Sequence, residues 1–494
     1  MPALTVAALA AGFLVLSSCQ IVTPSPVPGP TGGGPSPGDW PQFRFGPDGT
    51  GFNPFESTIS PSNVSGLQQR WSESLRHTSN PWPPVLANGL VYSTAYDGEL
   101  DAFDAMTGTG KWSYQIGTGT GNTSPAVSNG VVYAGSHVGL YAFDANSGTK
   151  LWSTPTGFPS FWLTSPVVAN GVVYANSNGS TLFAFNATTG AQLWYQNIGT
   201  SDSSPAVANS VVFMFSSNSS ELLAFNATTG SELWASAPTG LSTTASSPAV
   251  ASGVVYIAAS MLYAFSATTG TLLWSANINN GSRYASPAVA NGAVYESSSN
   301  GSLLAFNATT GAPMWSATTG TAGGTSPAVA NGVVFVGGSD GTLYAFNATT
   351  GTQLWSSAGG SGYPVVANGV VYVNSGGIRA YSLPVSGAGL TVSPTFAPDY
   401  GTVLDGTSSP PTTFTVTNFG SSPTSAITDT LTGADSLQFR VTSDTCAGIS
   451  LAGGASCTIG VSFDPTLFGL RQATLAVSAA TGGSTSATLS GTGG

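Results

Sequence analysis

The sequence predicts an all-β protein in which an eight-bladed β-propeller, closed by an N-terminal strand, precedes an Ig-like β-sandwich. Three observations lead to this prediction. A unit of about 40 residues recurs along most of the chain, each unit consists of short β-branched and aromatic runs between glycine-containing turns, and the composition changes after Leu383. With 41% hydrophobic and only 6% charged residues among 494, the chain can bury a large core. Its nine Lys and Arg form no basic run and are outnumbered by twenty Asp and Glu, which argues against a nucleic-acid partner.

The N-terminal residues predict export and a tether. Residues 3–16 form an uncharged apolar stretch that is too short to span a bilayer and suits a secretory signal. The Leu16-Ser17-Ser18-Cys19 sequence that follows resembles the lipobox of bacterial lipoproteins. The resemblance implies that residues 1–19 are a signal and that Cys19 is lipidated, and an ordinary signal peptide with a chance cysteine is the alternative. Residues 20–39 are rich in Pro and Gly and predict a tether, so we expect an extracytoplasmic protein that is lipid-anchored to the bacterial cell envelope or surface.

Tryptophan spacing defines the repeat within residues 40–384. Intervals of 40 to 42 residues separate Trp71, Trp112, Trp152, Trp194, Trp234, Trp274, Trp315 and Trp355. In the best-formed unit, residues 326–355, tight turns at Asn331-Gly332 and Asp340-Gly341 and the NATTG segment at 347–351 separate four strands. Apolar residues are consecutive in the second and third strands, as expected when neighbouring blades cover both faces.

A proline opens the first strand of each unit, and these prolines count eight units. They are Pro84, Pro125, Pro166, Pro205, Pro248, Pro287, Pro327 and Pro364. The eighth unit ends before it reaches a fourth strand. Residues 67–71 (LQQRW), ahead of the first unit, can supply that strand, and closing the ring with it removes exposed sheet edges.

The repeat also carries a family motif. The phrase A-x-[DN]-x-x-T-G-x-x-x-W, seen at residues 102–112, 184–194 and 345–355, resembles the tryptophan-docking repeat of pyrroloquinoline-quinone-like (PQQ-like) propellers. Residues 39–54 (DWPQFRFGPDGTGFNP) are similar to the segment that precedes the first blade in that family. The resemblance implies that tryptophans dock each blade on the next, here Trp112, Trp152, Trp194, Trp234, Trp274, Trp315 and Trp355. The propeller, its blade number and its anchor are also similar to the scaffold lipoprotein of the outer-membrane barrel assembly machinery.

Residues 385–494 are rich in Thr and Ser and have the length of one β-sandwich. The segments FTVTNFG at 414–420, GGASCTIGVSFDP at 453–465 and LSGTG at 489–493 resemble the Ig-like choice-of-anchor D or ASPM/HYDIN-type modules of bacterial surface proteins. If Cys19 is acylated, Cys446 and Cys457 remain. An oxidising envelope and a spacing of eleven residues favour a disulfide between them, whereas the alternative, a metal site, has no nearby histidine.

The sequence offers no catalytic constellation. A quinoprotein dehydrogenase of this fold would be expected to carry adjacent cysteines, calcium ligands and a catalytic Asp, but the sequence contains no adjacent cysteines and no obvious calcium set. Zinc-helix and phosphate-loop motifs are missing, and because no segment shows helical periodicity, no serine is expected on the strand-to-helix turn of a nucleophile elbow. Asp97, Glu99 and Asp101 alternate along one strand without the turn that wraps a calcium ion. We therefore expect no catalytic residue, metal or cofactor. A PQQ-dependent dehydrogenase that uses calcium, or a polysaccharide-active propeller, is the enzymatic alternative.

Departures from the internal consensus suggest where the repeat does more than support the fold. Asp101 and Arg379 replace an apolar third-strand residue in the first and eighth units, which predicts an ion pair at the closure seam; the alternative is that both point to solvent. The loops that lead into the first strands should gather at one mouth of the channel. Their unusual residues form a candidate binding face: Arg76, His77, Trp82, Phe161, Trp162, Asp202, Arg283, Tyr284 and Tyr363. Exposed aromatics suit sugars or peptides, and the alternative is that they only plug the channel mouth.

Together these features predict a non-catalytic, lipid-anchored envelope or cell-surface protein whose propeller is a binding or scaffolding platform. Its partner would be an envelope or surface protein or a polysaccharide. A PQQ-dependent dehydrogenase and a cell-surface adhesin are the alternatives.

Overall fold

A computed structural model describes residues 36–73, 82–117, 123–156, 162–177, 179–236, 245–278, 285–320, 324–394 and 400–494. Apart from the short 3-10 turns Val64–Gly66 and Ser436–Gln438, the regular structure of these residues is β-sheet. None of their helical segments has the length and apolarity needed to cross a membrane. Cys19 and residues 20–35 of the predicted tether, which spans residues 20–39, lie outside these ranges.

The predicted eight-bladed propeller is confirmed. Each blade is an antiparallel four-stranded sheet, and the first strands of successive blades contact one another around the axis. The strands of blades one to four are Val85–Ala87, Leu90–Thr94, Glu99–Asp104 and Gly110–Gln115; Ala126–Ser128, Val131–Gly135, Gly139–Asp144 and Lys150–Pro155; Val167–Ala169, Val172–Ser177, Thr181–Asn186 and Gln192–Asn197; Ala206–Ala208, Val211–Ser216, Glu221–Asn226 and Glu232–Ala235. Those of blades five to eight are Ala249–Ala251, Val254–Ala258, Met261–Ser266 and Leu272–Asn277; Ala288–Ala290, Ala293–Ser297, Ser302–Asn307 and Pro313–Thr318; Ala328–Ala330, Val333–Gly337, Thr342–Asn347 and Gln353–Ala358; Pro364–Ala367, Val370–Asn374, Ile378–Ser382 and Gln68–Glu73.

The N-terminal strand closes the ring. Strand Gln68–Glu73 pairs antiparallel with Ile378–Ser382 and places Trp71 opposite Ala380. Trp112 stands opposite Ala102 in the same way in blade one. The fourth strand of blade eight therefore has the register of the other fourth strands although it comes from the opposite end of the propeller sequence.

One hydrogen-bond pattern docks each blade on the next. The Trp112 indole donates to the Ala145 carbonyl of blade two at 3.0 Å, and the Tyr92 hydroxyl donates to the same oxygen at 3.0 Å. Gly148 admits the indole face, since a Cβ there would lie 2.6 Å from Trp112 Cδ2. The indole donors recur at Trp71–Ala105, Trp152–Ala187, Trp194–Ala227, Trp234–Ala267, Trp274–Ala308, Trp315–Ala348 and Trp355–Leu67.

The structure does not pair Asp101 with Arg379, contrary to our expectation. Arg379 donates to Gln69 Oε1 at 3.4 Å and lies beside Gly359 of blade seven, where a Cβ would be 2.8 Å from its Nη1. Third-strand side chains at this position face the preceding blade. In blade one, Asp101 lies on the same face of the strand as Phe103, and Phe103 packs into the core shared with blade eight. Equivalent residues thus point in the same direction around the ring, so only Asp101 faces the closure seam.

The C-terminal residues form a two-sheet sandwich. One sheet contains Leu390–Ser393, Thr412–Asn418, Ser456–Phe463 and Phe439–Asp444, and the other contains Thr402–Val403, Gly483–Gly493, Gly469–Ala479 and Thr428–Thr432. Phe414, Ile459 and Leu475 are fully buried between the sheets. The Sγ atoms of Cys446 and Cys457 are bonded, at 2.08 Å.

Candidate functional site

The lead-in segment, residues 40–53, winds round the propeller axis and bonds to the first strand of every blade. Its partners are Leu86 for Trp40, Val127 for Pro41, Val168 for Gln42, Val207 for Pro47, Val250 for Asp48, Val289 for Thr50, Val329 for Gly51 and Val366 for Asn53. First strands are the inner edges of their sheets, and buried backbone groups left unpaired there would destabilise the fold. The chain thus supplies its own partners for all eight inner edges. A short strand, Phe52–Asn53, completes this path by pairing parallel with the first strand of blade seven.

A tight turn in the lead-in segment places Arg44 at the axis. Arg44 and Phe45 adopt φ of 62° and 78°, and the Phe45 amide donates to the Gln42 carbonyl at 3.1 Å. Arg44 Nη2 donates to the Pro287 carbonyl of blade six, while Nε and Nη1 have no hydrogen-bond partner among the described residues. Burial lowers the pKa of Arg44 to about 9, opposed by the nearby carboxylates of Glu296 and Asp48.

Glu296 is the second buried ionisable residue near the axis. Its side chain is fully buried in blade six, and neither carboxylate oxygen has a hydrogen-bond partner in the described part of the chain. The corresponding second-strand residue is apolar in six of the other seven blades, for example Met214, Ile257 and Val336, and it is Ser93 in blade one. Burial raises the pKa of Glu296 well above its usual range, and Arg44 opposes that rise. Because an isolated charge is costly to bury, the charge of Arg44 and the protonation state of Glu296 depend on each other.

The described residues enclose a small space beside Arg44 at the axis. A cavity of about 10 Å³, lined by Trp40, Phe43, Arg44 and Tyr363 among others, has room for about one water molecule. In the ranges that the structure covers, no group of three or more His, Cys, Asp or Glu side chains is arranged to hold a metal ion.

The loop face is the mouth at which the loops into the first strands gather. Of its predicted residues, the structure brings Trp82 and Tyr363 together as stacked rings 5.7 Å apart, because they precede the first strands of the adjacent blades one and eight. Trp162 instead lies beside His137, with ring centroids 5.7 Å apart, and Asp202 is exposed in blade four. The remaining predicted residues, Arg76, His77, Phe161, Arg283 and Tyr284, lie outside the described ranges.

Serines form a hydrogen-bonded arc at this mouth. The amide of each donates to the hydroxyl of its counterpart in the next blade, with distances of 2.8 to 3.1 Å for Ser124–Ser165, Ser204–Ser247, Ser247–Ser286 and Ser286–Ser326. The serine before each of these strand-opening prolines therefore has a structural role in fixing the spacing of the first strands.

The opposite face carries the hairpin turns and a groove of about 820 Å³. Phe45, Pro47 and Phe52 of the lead-in segment form one side, and turns of blades four to six, including Asn209 and Asn291, form the other. An apolar groove edged by amides suits a peptide segment or an aromatic group. Sequence reasoning missed this groove because one side depends on the path of the lead-in segment, which the repeat pattern does not specify.

Comparison with known proteins identifies the propeller. Residues 117–261 and 258–402 match the family model described as outer membrane protein assembly factor BamB. The chain belongs to this BamB-type family of PQQ-like propellers. Residues 40–138 match the model described as the β-propeller domain of glucose, ethanol and alcohol dehydrogenases.

Relatives of this BamB-type propeller include enzymes as well as assembly factors. BamB of Burkholderia pseudomallei is 36% identical over 85 residues, which cover 16% of this chain and 22% of the relative. The dehydrogenase subunit of the quinone alcohol dehydrogenase of Gluconobacter oxydans is 30% identical over 135 residues, which cover 25% of this chain and 18% of the relative. The chain thus spans about a fifth of the length of these relatives.

Solved structures share the fold. The quinohemoprotein alcohol dehydrogenase ADHIIG of Pseudomonas putida HK5 superposes with a TM-score of 0.61 at 18% identity, over 70% of this chain and 80% of that chain. BamB of Moraxella catarrhalis superposes with a TM-score of 0.54 at 21% identity, over 64% of this chain and 99% of that chain. At these identities the likeness establishes the propeller architecture that assembly factor and enzymes have in common.

Proposed function

We propose that the propeller is a non-catalytic binding platform of the bacterial envelope that works through its two faces. The lead-in segment carries this proposal, because residues 40–53 occupy the axis and bond to all eight first strands. Because the propeller's own chain occupies the axis, the surfaces that remain accessible to a partner are the loops, the turns and the rim. The groove and the stacked Trp82–Tyr363 pair are the surfaces best suited to contact them.

We also propose that the platform works without a quinone. Phe43 and Arg44 line the axis, and the cavity beside them, at about 10 Å³, does not fit a quinone cofactor. The chain has only three cysteines, none adjacent to another, and the described residues supply no metal cluster. These observations support a cofactor-free propeller.

An envelope location is supported by independent features. The Cys446–Cys457 disulfide suits an oxidising compartment, and the lipobox-like residues that end at Cys19 suit a lipid anchor. The BamB relatives are named as outer membrane assembly factors, so we propose an envelope protein as the partner class.

Two experiments test this function. The first titrates the purified full chain with PQQ and Ca²⁺ by calorimetry and then assays alcohol-dependent reduction of an artificial electron acceptor, with a known quinoprotein dehydrogenase as the positive control. We expect neither saturable binding nor turnover; micromolar binding together with turnover would replace the platform by the dehydrogenase that the alcohol dehydrogenase relatives suggest.

The second experiment places a photo-crosslinking amino acid in living cells at position 273 in the groove or at position 363 on the loop face. Position 437 in the C-terminal module is the matched control, because Leu437 is 91% exposed and lies on neither propeller face. We expect discrete adducts with envelope proteins from at least one propeller position. Adducts no more abundant than those from position 437 would contradict the platform.

A further inference from the structure

A second cleft lies where the C-terminal module meets blade eight. It measures about 260 Å³ and lies between the strand Gln68–Glu73 of the propeller and the strands Leu390–Ser393 and Thr412–Asn418 of the module. This volume corresponds to about nine water molecules at about 30 Å³ each. The cleft is therefore large enough for a small polar ligand.

Arg70 is the charged residue of the cleft. It occupies the bulge before the docking tryptophan of blade eight, where six of the other seven blades carry an apolar residue, such as the half-exposed Leu193 and Leu233. Arg70 itself is only 6% exposed, and its guanidinium carbon lies 4.5 Å from the centre of the Phe419 ring. The module thus covers a cation at a position where six of the other seven blades present an apolar side chain and blade one presents Lys111, which is ion-paired with Asp104.

Among the described residues, no carboxylate forms an ion pair with this cation. Within the described ranges no Asp or Glu oxygen lies within 4 Å of Arg70, and its Nε has no hydrogen-bond partner. Asp104, which attracts Arg70 electrostatically, is ion-paired with Lys111 at 3.2 Å. A desolvated guanidinium without a counter-ion favours an external anion, and its planar donors match a carboxylate.

The hydroxyl groups on the walls of the cleft fall into two sets, those that hydrogen-bond to blade eight and those that make no hydrogen bond among the described residues. Thr391 Oγ1 donates to the Arg70 carbonyl at 2.8 Å, and the Ser393 hydroxyl bonds to Ser72, so these two groups hold the module against blade eight. Thr413 and Thr415 also line the cleft, two residues apart on one strand and hence about 7 Å apart. Their hydroxyls make no hydrogen bond within the part of the chain that the structure describes, so they are available to a ligand.

We propose that this cleft binds an acidic saccharide unit. Arg70 binds the carboxylate, and Thr413 and Thr415 bind ring hydroxyls. A hydroxyl-rich anion matches both the buried cation and the hydroxyl-lined wall, whereas an apolar or cationic ligand matches neither. The site is separate from both propeller faces, so the assignment does not rest on the proposed platform function.

The test titrates the full chain with a glucuronate-containing disaccharide, with the corresponding neutral disaccharide and with inorganic phosphate. We expect saturable 1:1 binding of the acidic disaccharide and at least tenfold weaker binding of the neutral one. Arg70→Gln should weaken binding of the acidic disaccharide at least tenfold and reduce its salt dependence. Arg440→Gln is the matched control, since Arg440 pairs with Asp464 at 2.6 Å elsewhere in the module and should bind like the wild type.

A second variant separates ligand binding from docking of the module. Thr415→Val retains Arg70 and its contact with Phe419, and we expect several-fold weaker binding from it. Equal affinity for acidic and neutral disaccharides would overturn the proposal, as would wild-type affinity in both Arg70→Gln and Thr415→Val. If phosphate bound as tightly as the acidic disaccharide, the cleft would recognise negative charge alone and not the sugar. This result would also overturn the saccharide assignment.

Discussion

Two glycines of blade six test how the tryptophans hold the ring together. Gly311 and Gly292 have similar positive φ values, 70° and 79°, and each lies in a turn between strands. A Cβ at Gly311 would lie 2.6 Å from Trp274 Cε3 of blade five, whereas a Cβ at Gly292 has nothing within 4 Å. Alanine should cost about 1–2 kcal/mol at either position through the left-handed backbone. Gly311→Ala should cost about 1–3 kcal/mol more, because the indole has little room to move while it donates to Ala308 at 3.1 Å.

Urea unfolding followed by tryptophan fluorescence measures this difference. All eleven tryptophans lie between Trp40 and Trp355, so the signal reports the propeller and not the C-terminal module. An extra cost of about 2 kcal/mol corresponds to a midpoint lower by on the order of 1 M urea for Gly311→Ala than for Gly292→Ala. Equal midpoints for the two variants would refute the docking argument, since the variants share the backbone strain and differ in the contact with the indole.

Three other substitutions test separate parts of the molecule. Trp234→Phe should destabilise the propeller by about 1 kcal/mol more than Trp274→Phe in the same assay. When Trp274 is replaced, the Ala308 carbonyl still accepts a hydrogen bond from the Tyr256 hydroxyl, whereas the Ala267 carbonyl has no such tyrosine donor when Trp234 is replaced. Burial raises the pKa of Glu296, so the folded state retains a proton that the unfolded state loses above about pH 4.5. The free energy of unfolding should therefore fall as the pH rises from 5 to 8. Glu296→Gln should make this fall smaller, as measured by the midpoint of urea unfolding at each pH. Cys457→Ser should cost the module about 3 kcal/mol in calorimetric unfolding, and an unchanged melting transition would contradict that value.

The repeat was predictable because each of its signals has a local cause. Asn331 and Gly332 adopt φ of 41° and 78°, as a tight hairpin requires, and the same turn chemistry recurs in other blades. The closing strand was predictable for a similar reason, since the tryptophan of LQQRW takes the register of every other docking tryptophan. Local residue chemistry thus specifies both the blade and its outer strand.

The axis was not predictable from the same signals. Most hydrogen bonds between the lead-in segment and the first strands join backbone groups, which every residue type carries, so the sequence does not reveal them. Gln42 and Asn53 are the exceptions, because they bond through their side chains. Glu296 did carry a signal, since the corresponding second-strand residue is apolar in six of the other seven blades. Recognising its partner, however, required the turn that brings Arg44 to the axis. The Asp101–Arg379 expectation failed for a geometric reason, because adjacency of blades does not make equivalent side chains face each other.

The path of the N-terminal chain has a mechanical consequence. An anchor attached to an edge strand would concentrate load on one blade, and that strand could peel from its sheet one hydrogen bond at a time. Here the chain that enters at the N-terminal side bonds first to all eight inner strands and only then becomes Gln68–Glu73, the outer strand of blade eight. The same strand holds the C-terminal module through Arg70 and Ser72. A pull applied at residue 40 therefore reaches the closure strand and the module only after the bonds of the lead-in segment to the eight first strands have broken one after another.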